Sequence, residues 1–160
     1  MVASNKQATK RLILWFKQTD LRIHDNLVLK KALGDLSQPI LPLFCFDPRF
    51  FRTSKRGNKK MSITRFKFLL ESVIDLRNNL QQEFGLGLYV ASGKTEDVIA
   101  NILAHSLSYN VFTTVLTSHE PYSEEVNIDN KVRFCLEQDN LGKLESIWHK
   151  TLYHPDDLPR

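Results

Sequence analysis

The sequence predicts an α/β fold: a doubly wound, Rossmann-like five-stranded parallel sheet with helices on both faces, in a single domain. Two observations carry this prediction. Short apolar runs alternate with segments of helical periodicity along the whole chain, and no linker rich in proline, glycine or serine separates them. Because strand–helix–strand units cross over with a right hand, the strands are expected to be parallel and covered by helices on both faces. A chain of 160 residues, 42% of them hydrophobic, suffices for one core.

The predicted strands are residues 12–16, 40–46, 88–91, 111–116 and 144–148. Most of these runs are apolar throughout, which is typical of strands buried on both faces. Ligands of such sheets bind outside the carboxyl ends of the strands, where the strand order reverses. The residues that directly follow each strand are therefore the first candidates for a site.

Four helices are predicted between the strands. A short one follows Asn26, and a long one spans residues 62–84 and is ended by Gly85 and Gly87. The long helix has an apolar stripe that comprises Ile63, Phe66, Leu70, Val73, Ile74 and Leu80. Thr95 and Ser123 are expected to cap the other two, each with two acidic residues in its first turn.

The net charge of +4 conceals one strongly cationic segment. Residues 49–67 hold eight basic side chains and no acidic one, which leaves 14 basic against 18 acidic residues elsewhere. A generally basic nucleic-acid-binding domain is therefore not indicated. The loop 52–60 could contact single-stranded DNA weakly and without sequence preference, or be a solvated loop only. The candidate DNA contacts are Lys55, Arg56, Lys59 and Lys60.

Several classes of chemistry lack their sequence signature. No Gly-x-Gly-x-x-Gly follows the first strand, and no P-loop or Gly-x-Ser-x-Gly elbow occurs. No two histidines have the i, i+4 spacing of a helical zinc pair, so we expect no metal site. His119 and Glu120 could exchange protons after the fourth strand, although capping or hydrogen bonding of the turn is the favoured explanation.

The polar turn at residues 20–26 follows the first strand. Asp20 and Arg22 could form a bidentate pair, and Asp25 or Asn26 could cap the next helix. We therefore assign these four residues a structural or interdomain role.

The ends of the chain and its cysteines bear on its location. Residues 1–10 are predicted to form a flexible tail, and they lack the apolar stretch of a secretory signal. Cys45 and Cys135 are expected to be reduced thiols, which favours an intracellular protein of unspecified compartment. The longest apolar run is residues 12–16, which is too short to cross a membrane.

Five stretches of the sequence resemble the DNA photolyase and cryptochrome family, in the order and spacing of that family. They are Trp15-Phe16 followed by DLRIHDN at 20–26, PLFCFDPRF at 42–50, RFKFLLESVIDLR at 65–77, SEEV at 123–126 and TLYHPDDLP at 151–159. The last three narrow the resemblance to the DASH cryptochromes.

The resemblance implies that residues 11–150 correspond to the N-terminal α/β domain of that family and residues 151–160 to the start of an interdomain connector. In the family, a larger C-terminal helical domain holds FAD and repairs pyrimidine dimers in single-stranded DNA by light-driven electron transfer. That domain is the implied partner of this chain. Without it we expect no flavin, no repair activity and, through the apolar surface that its absence exposes, a tendency to self-associate.

The resemblance also implies an antenna pterin, methenyltetrahydrofolate, in a cleft of which this domain forms one wall. Glu125 is then the carboxylate that accepts hydrogen bonds from the pterin ring. Cys45, Phe46 and Asp47 are expected to line the same cleft, or to be an ordinary buried strand end. Binding by this chain alone is expected to be weak or absent.

A free-standing α/β module that binds a nucleotide or a partner protein, without enzymatic activity, is the alternative, since similar sheets bind adenine nucleotides at the same place. A reading frame that continues past Arg160 into a helical domain favours the first interpretation, and a stop codon favours the second.

Overall fold

The computed structural model describes residues 9–54, 57–104, 111–138, 140–151 and 157. In these ranges strands and helices alternate: β1 (Thr9–Phe16), α1 (Leu27–Leu33), β2 (Ile40–Phe46), α2 (Ile63–Phe84), β3 (Tyr89–Ser92), α3 (Thr95–Ala104), β4 (Val111–Ser118), α4 (Ser123–Glu137) and β5 (Gly142–Ile147). A short 3₁₀ turn, Pro48–Phe50, follows β2. None of the helices in these ranges is long and apolar enough to span a bilayer.

The strands form one parallel sheet with the order β3-β2-β1-β4-β5. The predicted doubly wound fold is thereby confirmed. The chain builds the sheet outward from β1 in one direction and then returns to build β4 and β5 on the other side. The strand order therefore reverses between β1 and β4, which is where such a sheet binds its ligands.

The core lies on both faces of the sheet because side chains alternate along each strand. Leu14 and Phe16 of β1 pack with the buried residues of α1 and α2, whereas Ile13 and Trp15 pack with those of α3 and α4. Burial on both faces holds for the central strands. The edge strand β3 departs from it, since Tyr89 is 49% and Val90 38% exposed.

The predicted apolar stripe of α2 is corrected by the structure. The buried line of α2 consists of Leu69, Val73, Leu76 and Leu80, whereas Ile63, Phe66, Leu70 and Ile74 are exposed. At 100° per residue, these four exposed residues lie together on a flank about a quarter turn from the buried line. The predicted stripe therefore combined residues of two adjacent apolar flanks of α2, and only one of these flanks faces the sheet.

Helix ends agree with the sequence in part. Ser62 caps α2, Gly85 ends it with a φ of +66°, and the Asn26 side chain accepts hydrogen bonds from Val28 N and Leu29 N at 3.0 Å. The capping roles predicted for Thr95 and Ser123 are wrong, because both residues lie inside their helices as the first residue. Asp47, from the end of β2, accepts the hydrogen bond of the Thr95 N–H at 3.0 Å instead.

Strand boundaries differ from the sequence pattern by one to three residues in every strand but β2. β1 begins at Thr9, inside the stretch predicted as a tail, and β5 begins at Gly142, two residues before its apolar run. A Cβ at Gly142 would lie 1.9 Å from the Thr113 carbonyl oxygen, so β4 and β5 can pair here only at a glycine. Residues 1–8 of the predicted tail, and most of the predicted connector, lie outside the described ranges.

Candidate ligand-binding site

A cleft opens at the carboxyl ends of β1, β2 and β4, beside the reversal of strand order. Its volume is about 90 Å³. Its lining residues come from the end of β1 and the turn after it, from β2 and the turn after it, from the first turns of α2, α3 and α4, and from the segment after β4. They are Trp15, Phe16, Lys17, Gln18, Thr19, Phe44, Cys45, Phe50, Arg65, Thr95, Glu120, Glu125, Ile128 and Asp129.

A buried ion pair forms part of the cleft wall. Lys17 Nζ donates to both carboxylate oxygens of Asp129 at 2.8 Å, and each side chain is only 7% exposed. The same ammonium lies 5.0 Å from the centre of the Trp15 ring. Burial raises the pKa of Asp129, and Lys17 opposes that rise. The pair fixes the end of β1 to the first turns of α4.

A second polar group, centred on Glu120, lies at the same edge of the sheet. Glu120 accepts hydrogen bonds from Thr19 and from Lys150, which follows β5. Burial would raise the pKa of Glu120, but these hydrogen bonds outweigh it and lower the pKa. The ring of His119 lies 4.8 Å from that of Trp148. Glu120 is thus an ionised acceptor held by the protein. Of the two roles considered for this turn, proton exchange and hydrogen bonding, these contacts favour hydrogen bonding.

Glu125 lies in the first turn of α4, half-buried, in the wall of the cleft. Burial raises the pKa of its carboxyl group, and the negative charges of Glu120 and Glu124 add to the rise. Apart from its own backbone N–H, no residue in the described ranges donates a hydrogen bond to it. Glu125 therefore presents a carboxylate with acceptor capacity left for a ligand.

The three residues predicted to line the cleft at the end of β2 lie in three different environments. Cys45 lines the cleft as a thiol whose pKa burial raises to about 12. Phe46 is not among the residues that line it, and its ring packs on Phe44 and Phe66. Neither Phe46 nor Asp47 lines this cleft, and their predicted role in cofactor binding stays a prediction.

Asp47 is completely buried beside the cleft and serves as an anchor. Its carboxylate accepts hydrogen bonds from Arg49 and from both the backbone N–H and the hydroxyl of Thr95. Burial opposes ionisation, but these hydrogen bonds outweigh it and lower the pKa of Asp47. Arg49 also bridges to Glu96, which lies in the first turn of α3. Asp47 is thus saturated by the protein.

In the polar turn after β1, the ion pair of Arg22 is not the predicted one with Asp20. Arg22 Nε lies 2.9 Å from Asp25 Oδ1, both largely exposed, so Asp25 and not Asp20 is its partner. Asp20 is buried, and its carboxylate lies 3.7 Å from His149 Nε2. Burial raises the pKa of Asp20, against the nearby positive charges of Lys150 and Arg22.

The cationic loop is described only in part. Lys60 forms an ion pair with Glu124 of α4, and Lys59 is exposed at an isolated bridge to Thr53. Lys55 and Arg56 lie outside the described ranges.

Sequence reasoning missed Asp129 and the role of Lys17. One signal was available, because Asp129 follows Glu125 by four residues and so lies on the same face of α4. No pattern in the sequence links Lys17 to a residue 112 positions away. Among the residues that the structure describes, no cluster of acidic, histidine or cysteine side chains could hold a metal ion.

The chain is a doubly wound α/β domain with a cleft at the reversal of strand order, and comparison with known proteins gives its family. Residues 12–160 match the DNA photolyase family. The chain is 43% identical over 149 residues to the chloroplastic/mitochondrial cryptochrome DASH of Arabidopsis thaliana, covering 92% of this chain and 25% of that protein. It is 36% identical to cryptochrome DASH of Danio rerio, covering 95% of this chain and 28% of that protein.

A solved structure gives the same result. The cryptochrome of Synechocystis sp. PCC6803 superposes with a TM-score of 0.82 at 32% sequence identity, covering 97% of this chain and 30% of that chain. The chain therefore belongs to the DNA photolyase family, and it is similar to the N-terminal domain of DASH cryptochromes. It spans between 25% and 31% of the length of the first curated relatives that it matches.

Proposed function

We propose that this domain binds a reduced folate, methenyltetrahydrofolate, in the cleft between β1, β2 and α4, as the light-harvesting antenna of a photolyase-type protein. When bound, the folate absorbs light and passes the excitation to a flavin. The observation that carries the proposal is Glu125: Asp47, Glu120 and Asp129 are engaged by donors of other residues, whereas among the described residues only the backbone N–H of Glu125 itself donates to its carboxylate.

The chemistry of the cleft suits the pterin ring. Its aminopyrimidinone edge presents adjacent N–H groups, and the two oxygens of one carboxylate can accept them in parallel. Phe50, Cys45 and Ile128 supply apolar surface for the ring beside that carboxylate. Lys17 pairs with Asp129 and Lys150 pairs with Glu120, so Glu125 and Arg65 are the remaining charged groups of the cleft lining.

The size of the cleft supports a site shared between two domains. Pockets that enclose a small molecule have volumes of roughly 300–1,000 Å³, whereas this cleft has about 90 Å³. A single wall supplies only part of the contact area, yet the free energy from those contacts must still offset the full cost of immobilising the ligand. We propose that the flavin-binding domain of full-length family members supplies the other wall, and that this chain alone binds folate weakly and repairs no DNA.

The proposal predicts a specific loss when Glu125 is replaced by glutamine. The change keeps the shape but sets an N–H against a ring N–H, and we expect affinity for methenyltetrahydrofolate to fall about 10–100-fold, as for loss of a charge-assisted hydrogen bond. The measurement is a titration followed by the absorption and fluorescence of the folate.

The matched control is Glu137→Gln, the same substitution on the same helix at an exposed residue outside the cleft. It should bind like the unmodified protein. Equal affinity of the Glu125 and Glu137 variants, or tight binding by the unmodified single domain, would contradict the proposed cleft. Binding of an adenine nucleotide in place of folate would favour the free-standing nucleotide-binding module instead.

A second prediction concerns single-stranded DNA. The charge of the loop 52–60 leads us to propose a weak, salt-sensitive affinity without sequence preference, which Lys60 supports less than the others because it already pairs with Glu124. Fluorescence anisotropy of a labelled oligonucleotide across a salt series measures it. Replacing Lys55, Arg56, Lys59 and Lys60 by serine should abolish binding, and an unchanged affinity would show that the loop is solvated only.

The exposed flank of α2, defined by Ile63, Phe66, Leu70 and Ile74, supports the proposal that the isolated domain self-associates.

The free thiols Cys45 and Cys135 support an intracellular site of action.

A further inference from the structure

The exposed flank of α2 has the residue spacing of a helix surface that packs on another helix. Its four apolar residues are between 40% and 88% exposed, and they are Ile63, Phe66, Leu70 and Ile74. They follow one another at intervals of three and four residues, so they form one continuous row along the helix. Arg77 comes next in this row, which therefore stops being apolar after Ile74, about three turns from its start.

The flank is separate from the cleft between β1, β2 and α4. The residue of α2 that lines the cleft is Arg65, and by helix periodicity it lies on the other side of the buried line from the flank. A helix that packs on the flank therefore does not compete with a ligand of the cleft.

The apolar row is symmetric about its own middle. Ile63 and Ile74 lie at its two ends, Phe66 and Leu70 lie between them, and both pairs are centred close to residue 68. When a second copy of the helix runs in the opposite direction, each apolar residue consequently meets an apolar residue. A surface that is complementary to itself in this way forms a dimer with a two-fold axis, the commonest symmetry of homo-oligomers.

The charged residues beside the row favour the antiparallel direction. Lys67 and Glu71 follow one edge of the flank, are 76% and 60% exposed, and lie 3.8 Å apart. They are centred on residue 69, close to the middle of the apolar row. In an antiparallel pair the same edges of the two helices meet, so Lys67 of each copy lies beside Glu71 of the other. In a parallel pair these edges lie on opposite sides of the interface, and neither residue has a partner across it.

We propose that two copies of this chain associate by antiparallel packing of their α2 helices, with the apolar row in the interface and two equivalent ion pairs between Lys67 and Glu71 at its edge. An exposed apolar surface alone requires only some form of self-association, whereas the symmetric row and its charges define one partner and one orientation. A contact limited to about three turns of helix from each copy belongs with small, transient interfaces, those below about 1,200 Å². We therefore expect a reversible dimer that dissociates on dilution.

The first test is sedimentation equilibrium of the full chain from micromolar to millimolar concentration. We expect a monomer–dimer equilibrium that Leu70→Asp weakens at least about thirtyfold, because it sets two carboxylates in the centre of the apolar contact. The matched control is Phe68→Asp, which replaces another exposed apolar residue of α2 that lies outside the flank. It should leave the dimer unchanged. A chain that stays monomeric throughout, or equal loss in both variants, would overturn the dimer and leave the flank to a different partner.

The second test reverses the charges and addresses the orientation. Lys67→Glu and Glu71→Lys should each weaken the homodimer about tenfold, because two attractions become repulsions. An equimolar mixture of the two variants should regain association, since every pair across the interface is then opposite in charge while the charges within each helix still repel. Glu83→Lys is the control, the same change at an exposed residue of α2 away from the flank, and it should have no effect. A mixture that associates no better than either variant alone would overturn the antiparallel pairing.

Discussion

Replacing Lys17 with methionine is expected to destabilise the domain by about 3–5 kcal/mol, the loss typical of breaking a buried ion pair from one side. Methionine fills much of the lysine volume, so the main effect is the carboxylate of Asp129, which stays buried without its partner. Because Lys17 ends β1 and Asp129 lies in α4, the loss falls on the junction that shapes the cleft. Urea unfolding at neutral pH measures it.

The double variant Lys17→Met/Asp129→Leu is the control, and it should regain most of the lost stability because no uncompensated charge remains. The pH dependence has a definite sign. Burial raises the folded-state pKa of Asp129, and loss of Lys17 raises it further, so the single variant should recover stability as the pH falls and Asp129 becomes protonated. A loss below about 1 kcal/mol, or a double variant no more stable than the single one, would show that the pair is not buried as described.

Replacing Asp47 with alanine is expected to cost about 2–4 kcal/mol, because the buried Thr95 N–H and the Arg49 guanidinium lose their shared acceptor. The pKa of Asp47 is lowered in the folded protein, so its stabilisation is present above the ordinary aspartate pKa and is lost as the pH falls through the folded value. The difference in unfolding free energy between the two proteins should therefore shrink in acid.

Asp97→Ala is the comparison for Asp47, since Asp97 is an exposed acid in the first turn of the same α3. Its loss should cost less than about 1 kcal/mol, as for a surface charge at a helix N-terminus. If the two alanine variants are equally stable, the hydrogen bond from Thr95 to Asp47 does not stabilise α3 more than the exposed acid in its first turn does.

The sheet could be predicted because its central strands are apolar throughout, and few other structures bury such runs on both faces. The α2 stripe could not, because apolar side chains cover two adjacent flanks of that helix and periodicity alone does not identify the buried one. The residue that caps α3 could not be predicted from the sequence either. It is provided by Asp47, which lies 48 residues before Thr95, and no local rule connects them.

The site shows the same limit. Glu125 was accessible through a motif resemblance, and the structure adds that its carboxylate is half-buried in a cleft at the switch point. Asp47 has the same chemistry and an equally suggestive position after a strand. Only its hydrogen bonds reveal that the protein saturates it. Which carboxylate is available to a ligand depends on contacts between distant segments, which a sequence pattern does not contain.

The central claim is that a folate binds at Glu125 in the cleft between β1, β2 and α4. The most direct measurement is a titration of the ¹⁵N-labelled domain with methenyltetrahydrofolate, followed by amide chemical shifts, because this method also locates weak ligands. We predict shifts that saturate together at Lys17, Thr19, Glu125 and Ile128, and that vanish in Glu125→Gln while the spectrum of the free protein is otherwise retained. Saturable shifts confined to residues outside the cleft, or the same cleft shifts in the Glu125→Gln protein, would contradict the claim.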